Sequence, residues 1–124
     1  MNRPVEATSV ASAAHYLWGA DCEGWRLVDR EDLSVIEELL PVGAHEIWHV
    51  HDRARQFFYV TAGEAELRTV RGTATLGPGS GVEVAPGVAH QFANVGDTVL
   101  RLLVVSAPRT RDDRRELDEP ARPG

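Results

Sequence analysis

Glycine and proline cut this chain into short apolar runs, and that punctuation restricts it to strands. LSVIEELL (33–40) stops at Pro41 and Gly43, HEIWHVH (45–51) at Asp52-Arg53, and RQFFYVTA (55–62) at Gly63. EAELRTV (64–70) ends at Arg71-Gly72, and TATL (73–76) runs into GPGSG. VEVA (82–85) meets Pro86-Gly87, HQFAN (90–94) meets Gly96-Asp97, and TVLRLLVVS (98–106) stops at Pro108. No long segment carries the 3.6-residue period of an amphipathic helix. About eight strands with a turn signal after each predict an all-β fold, an antiparallel sandwich or small barrel such as a jelly roll.

The flanks differ from this middle. Residues 1–15 are small and polar, and ATSVASAA suits one short helical turn. Tyr16, Trp18 and Trp25 make the next stretch too aromatic for a free tail. Residues 1–30 are therefore expected to form an arm that packs on a barrel of residues 31–107, or on a partner subunit. From Arg109 onward arginines and acids alternate with almost nothing apolar, so residues 108–124 read as a charged, solvated, partly disordered tail. No internal repeat or interdomain linker is visible, and 124 residues suffice for one domain.

Composition removes several functions. A net charge of −6 repels phosphate backbones and argues against nucleic-acid binding. No apolar run approaches the roughly 20 residues of a membrane span. All 13 basic residues are arginines, so lysine Schiff-base chemistry is excluded. The opening MNRPVEATSV lacks a secretory pattern, and Cys22, the one cysteine, cannot form an internal disulfide; a cytoplasmic setting is expected. No Cys/His pairing signature surrounds Cys22, which reads as a small packed thiol.

The histidines point to chemistry. His49 and His51 are two apart in a strand, so both imidazoles lean to one face. A hairpin after Asp52 would return Gln56 beside them, and His90 opens a strand after the Pro86-Gly87 turn. Lone histidines are commonly satisfied by ordinary hydrogen bonds. An H-x-H pair with a third imidazole after a tight turn instead suits a divalent transition metal. If His49 and His51 face inward, alternation turns His45 and Ile47 inward and Glu46, Trp48 and Val50 outward. On the next strand Gln56, Phe58 and Val60 would face in, and Phe57 and Tyr59 out. Ile47, Phe58 and Phe92 are the expected pocket walls. Glu37 and Glu38 must face opposite ways; Glu38 and, near the mouth, His45 are the candidate proton carriers. The outward Trp48, Val50, Phe57 and Tyr59 are too apolar for bare solvent, so the N-terminal arm or a second subunit should cover them, and a homodimer is expected.

At these residues the sequence resembles the cupin superfamily. The family's first motif, G-x5-H-x-H-x3,4-E-x6-G, corresponds to Gly43-AHEIW-His49-Val50-His51-DRAR-Gln56-FFYVTA-Gly63, with glutamine in place of glutamate. The second, G-x5-P-x-G-x2-H-x3-N, corresponds to Gly79-SGVEV-Ala85-Pro86-Gly87-VA-His90-QFA-Asn94, with Ala85 for the first proline. The resemblance implies a jelly-roll barrel holding iron, manganese, nickel, zinc or copper. It makes His49, His51 and His90 metal ligands, puts Gln56 where the family's carboxylate ligand stands, and makes Gly43, Gly63, Gly79 and Gly87 turn residues. If the glutamine binds, a neutral amide oxygen leaves the ion's charge uncompensated. If it does not, three histidines with open positions remain, and a decayed, metal-free site is the third alternative. Two functions follow: a small-molecule metalloenzyme of dioxygenase, isomerase or lyase type, or a non-catalytic cupin that binds or senses a small metabolite.

Overall fold

A computed structural model describes residues 5–120; residues 1–4 and 121–124, the outer ends of the expected arm and tail, lie outside the described residues. Within the described residues there are strands and no helix. In chain order they are β1 (Ala14–Trp18), β2 (Cys22–Asp29), β3 (Ser34–Leu40), β4 (His49–Val50), β5 (Arg55–Ala62) and β6 (Ala65–Thr69). Then come β7 (Gly72–Leu76), β8 (Gly81–Val84), β9 (Gln91–Asn94), β10 (Leu100–Ala107) and β11 (Arg115–Glu116). All pair antiparallel, in a six-stranded sheet ordered β1-β2-β3-β10-β5-β8, a three-stranded sheet β7-β6-β9 and a short pair β11-β4. The expected all-β jelly roll is present.

The period-2 pattern explains the core. Along β5, Gln56, Phe58 and Val60 are buried, whereas Arg55 and Phe57 are exposed. Phe58 meets Phe92 of the smaller sheet in a stack with ring centroids 5.0 Å apart, joined in the core by Val60, Leu67, Leu100 and Leu102. The motif glycines Gly43, Gly63, Gly79 and Gly87 all have φ between +80° and +88°. At Gly63 a Cβ would also lie 2.8 Å from the Val99 carbonyl oxygen, so the turn from β5 into β6 admits only glycine.

The flanks complete the sheets. β1 and β2 extend the large sheet beyond β3, with Tyr16 opposite Gly24. A Cβ at Gly24 would sit 2.3 Å from the Tyr16 ring, so glycine there lets the phenol cross β2. Cys22 is buried, and burial pushes its thiol up to about 11, which leaves it unreactive at neutral pH.

Composition suggested a solvated C-terminal segment, yet residues 109–117 have specific partners. β11 pairs with β4, and the Leu117 N–H donates to the Trp48 carbonyl at 2.7 Å. Arg111 reaches Asp29 at 2.9 Å, and Arg115 clasps Asp52 through two bonds of 2.9 and 3.1 Å. Trp48 and Val50, expected to face outward, are 8% and 4% exposed, and the strand lying along them is β11 rather than the N-terminal arm.

Candidate metal centre and its cavity

Paired backbone hydrogen bonds bring the two motifs together. His49 N–H donates to the His90 carbonyl at 3.1 Å and His90 N–H to the His49 carbonyl at 2.9 Å. The Gly87 N–H reaches the His51 carbonyl at 2.8 Å. One ring nitrogen from each of His49, His51 and His90 therefore lies within 4.8 Å of the others, and all three residues are buried.

The other ring nitrogens fix the tautomers. Nδ1 of His49 lies 2.7 Å from the Ile47 carbonyl, Nδ1 of His51 2.6 Å from the Asp113 carbonyl, and Nδ1 of His90 2.9 Å from the Val88 carbonyl. A carbonyl only accepts, so each Nδ1 carries the hydrogen and each Nε2 keeps its lone pair. Burial disfavours the imidazolium and pushes His49 down to about 3 and His90 to about 4; His51 is lowered for the same reason. Three neutral imidazoles with unprotonated Nε2 atoms result.

Two buried acceptors lack partners among the described residues: Nε2 of His90 and Oε1 of Gln56. Gln56 lies opposite Ser106 on β10, and its Nε2 donates to Ser106 Oγ at 3.1 Å, so its carbonyl oxygen is left over. Orphaned acceptors beside three imidazoles fit a transition-metal ion, which would satisfy both. Carbonyl-anchored Nδ1 atoms are also what holds imidazoles in orientation for such an ion.

The centre opens into a cavity of about 350 Å³. Glu38, Gln56, His49 and His51 line it, with Tyr16, Trp18, Ile36 and Val104 on the apolar side. Glu37 faces the other way, paired with Arg101. Glu38 is therefore the member of the adjacent pair that points inward.

Alternation fails at Glu46, which also lines the cavity. Strand geometry in this stretch covers only His49–Val50; before it, His45 makes a lone bridge to Ala93. The intervening loop breaks the period. Glu46 turns inward with Oε1 accepting from the Phe92 N–H at 3.0 Å and Oε2 3.9 Å from His49 Nε2. Ile47 is 54% exposed at the rim. His45 is exposed, with Nδ1 3.0 Å from the Glu46 carbonyl oxygen and 3.2 Å from Gln91 Nε2, and is outside the histidine trio. Phe58 and Phe92 are not cavity walls: both are 1% exposed within the core, Phe58 edge-on to His90 at 5.8 Å.

Burial, above all, raises both glutamates from the ordinary carboxylate range; Glu46 raises Glu38 further, and the Arg114 guanidinium opposes the rise in both. Two carboxyls in one low-dielectric wall hold a proton more readily than either would in water. Sequence reasoning missed Glu46, Asp113 and Arg114. Glu46 obeys a local break that residue types do not announce, and the other two sit in a segment whose composition reads as solvent-facing. Trp18 had a partial signal in the aromatic content of the arm.

The cupin-domain family model matches residues 36–106. An uncharacterized protein of Methanocaldococcus jannaschii is 23% identical over 86 residues, 69% of each chain. The polyketide cyclase RemF of Streptomyces resistomycificus superposes with a TM-score of 0.77 at 17% identity, covering 94% of this chain and 88% of that one. A sugar phosphate isomerase of the cupin superfamily from Silicibacter pomeroyi gives 0.74 at 22% identity, covering 84% and 76%. With the family model spanning both histidine motifs, this chain belongs to the cupin family.

Proposed function

We propose that this protein is a metal-dependent enzyme acting on a small molecule by proton transfer, of the isomerase or lyase type. The observation that carries the reading is the meeting, in one cavity, of three tautomer-locked imidazoles and the inward carboxyls of Glu38 and Glu46. His49, His51 and His90 would hold a divalent ion, with the Gln56 carbonyl oxygen as the fourth donor. Bound there, the ion supplies Lewis acidity toward a carbonyl or enolate oxygen. Glu38, whose carboxyl burial keeps above the usual range, receives or returns the proton. His45, exposed in the cavity lining, would exchange protons with solvent. Tyr16, Trp18, Ile36 and Val104 exclude water around the substrate. The isomerase and cyclase named above share this fold, which supports a non-redox reaction without identifying it.

Two features extend the reading. Phe57 stacks on Tyr59 at 6.2 Å on the outer face of β5 and is 42% exposed, a surface that suits a second copy in a homodimer. The buried free thiol of Cys22 suits a reducing cytoplasm.

Elemental analysis of the purified chain tests the core of the proposal. The expected result is about one transition metal per chain, lost in His51→Ala and His90→Ala with the circular-dichroism spectrum unchanged. A chain that arrives without metal and takes none on titration refutes it. Metal binding without turnover across keto acids, phenols and sugar derivatives, and without oxygen uptake, supports a sensor instead. Given a turnover assay, Glu38→Gln should abolish activity and retain metal.

A further inference from the structure

Arg114 is the one cation among the side chains that line the cavity. It is brought there by the C-terminal segment, whose neighbouring residues are firmly held. Asp113 accepts from the Ala54 N–H at 2.9 Å and the Asp52 N–H at 3.0 Å, and Arg115 clasps Asp52. Arg114 Nε lies 3.8 Å from Glu116 Oε1, beyond hydrogen-bond distance, and that glutamate is 60% exposed and screened by solvent. A second donor is in the same wall: the indole Nε1 of Trp18 is buried and has no acceptor among the described residues. A buried donor without an acceptor is costly, and an oxygen on a ligand removes that cost.

The charge in the cavity points the same way. A divalent ion on neutral imidazoles and a neutral amide would add two positive charges to the one of Arg114. The lining carboxyls are Glu38, Glu46 and the largely exposed Glu116, so the interior stays net positive until all three are ionised. The walls add apolar surface from Ile36, Val104 and the rim residue Ile47.

We propose that the ligand of this cavity is a small organic carboxylate on an apolar body, with Arg114 as the group that takes its carboxylate and Trp18 as a further donor to one of its oxygens. Arg114 is thus the residue that sets specificity for anions, contributed by a segment outside the barrel motifs. The charge balance rests on the metal-enzyme reading, whereas the guanidinium and the apolar walls belong to the chain itself.

Isothermal titration of the full chain with phenylglyoxylate and with its neutral methyl ester tests this, with metal content measured on the same samples. The acid should bind at least about tenfold more tightly than the ester, as a charge-assisted guanidinium–carboxylate contact implies. Arg114→Gln should erase that preference, and Arg114→Lys should restore part of it, with metal content unchanged in both. Trp18→Phe should weaken the acid severalfold. Equal binding of acid and ester, binding of neither, or a preference that survives in Arg114→Gln overturns the proposal. A chain that carries no metal defeats the metal-enzyme reading separately, since the acid-to-ester ratio and its response to Arg114→Gln are still read on that chain.

Discussion

Asp113 connects the C-terminal segment to the metal centre, and its removal should be felt in both. Its carboxylate accepts from the backbone N–H groups of Asp52 at 3.0 Å, Arg53 at 3.2 Å and Ala54 at 2.9 Å. Its carbonyl receives Nδ1–H of His51 at 2.6 Å. Ala54 is 2% exposed, so in Asp113→Ala its N–H has no water to turn to, at about 1–3 kcal/mol. The N–H groups of Asp52 and Arg53 belong to exposed residues and should cost about 0.5–1.5 kcal/mol each. A loss near 3 kcal/mol follows, or roughly 10–15 °C in Tm for a domain of this size. With the 110–113 turn released, the carbonyl that orients His51 shifts, and metal affinity should fall by about ten- to a hundredfold. Asp113→Asn keeps one acceptor oxygen and should fall between. Burial pushes the Asp113 carboxyl up, but the N–H donors of Ala54, Arg53 and Asp52 and the Arg53 guanidinium outweigh it and hold the group below the ordinary aspartate range. The folded-state value lies under the unfolded one, so the wild-type advantage over Asp113→Asn is full above the ordinary aspartate value. It is lost as acid titrates the folded carboxyl. Thermal melts across pH, paired with a metal-competition titration, read both effects. If Asp113→Ala melts within 2 °C of wild type and binds metal equally well, the tether described here is wrong.

Gln56→Glu should separate metal binding from stability. Without metal it buries a carboxylate beside Ser106 and should destabilise the fold by about 1–3 kcal/mol, and with metal it should raise affinity at least tenfold. Melts with and without chelator should therefore move in opposite directions, and an unchanged affinity would remove Gln56 from the donor set. Phe58→Ala should cost about 3–5 kcal/mol, because the ring is 1% exposed and stacked on Phe92; a urea midpoint giving under about 1.5 kcal/mol would contradict the core assignment. The metal-free chain should weaken in acid on account of His49 and His90, whose folded values of about 3 and 4 lie below the ordinary histidine value. Below that ordinary value the unfolded chain takes up protons that the folded imidazoles refuse, whereas the raised Glu38 and Glu46 carboxyls act in the opposite sense, so the loss from about pH 6.5 toward pH 4 should emerge in a Glu38→Gln/Glu46→Gln background. A flat chelated-protein profile in that background would count against buried neutral imidazoles.

What could be read in advance follows the reach of the rules involved. Alternation along β5 placed Gln56, Phe58 and Val60 inward because one face of an unbroken strand is buried along its whole length. The same rule misplaced Glu46, since a period of two carries no information across the loop between His45 and β4. Spacing brought the histidines together because motif turns fix the register that pairs His49 with His90. Spacing could not show that Phe58 and Phe92 bury each other rather than face the cavity, since that depends on how two sheets approach. The charged C-terminal segment was opaque for another reason. Its contacts are single charges meeting backbone donors and distant acids, Asp113 on the 52–54 turn and Arg115 on Asp52, which leave no apolar periodicity behind. Such a segment reads as solvated in composition even when it supplies the carbonyl that orients His51 and the guanidinium that faces the cavity. The three histidines and Gln56, carried by the two motifs, were therefore visible in the sequence, and Glu46, Asp113 and Arg114 required the fold.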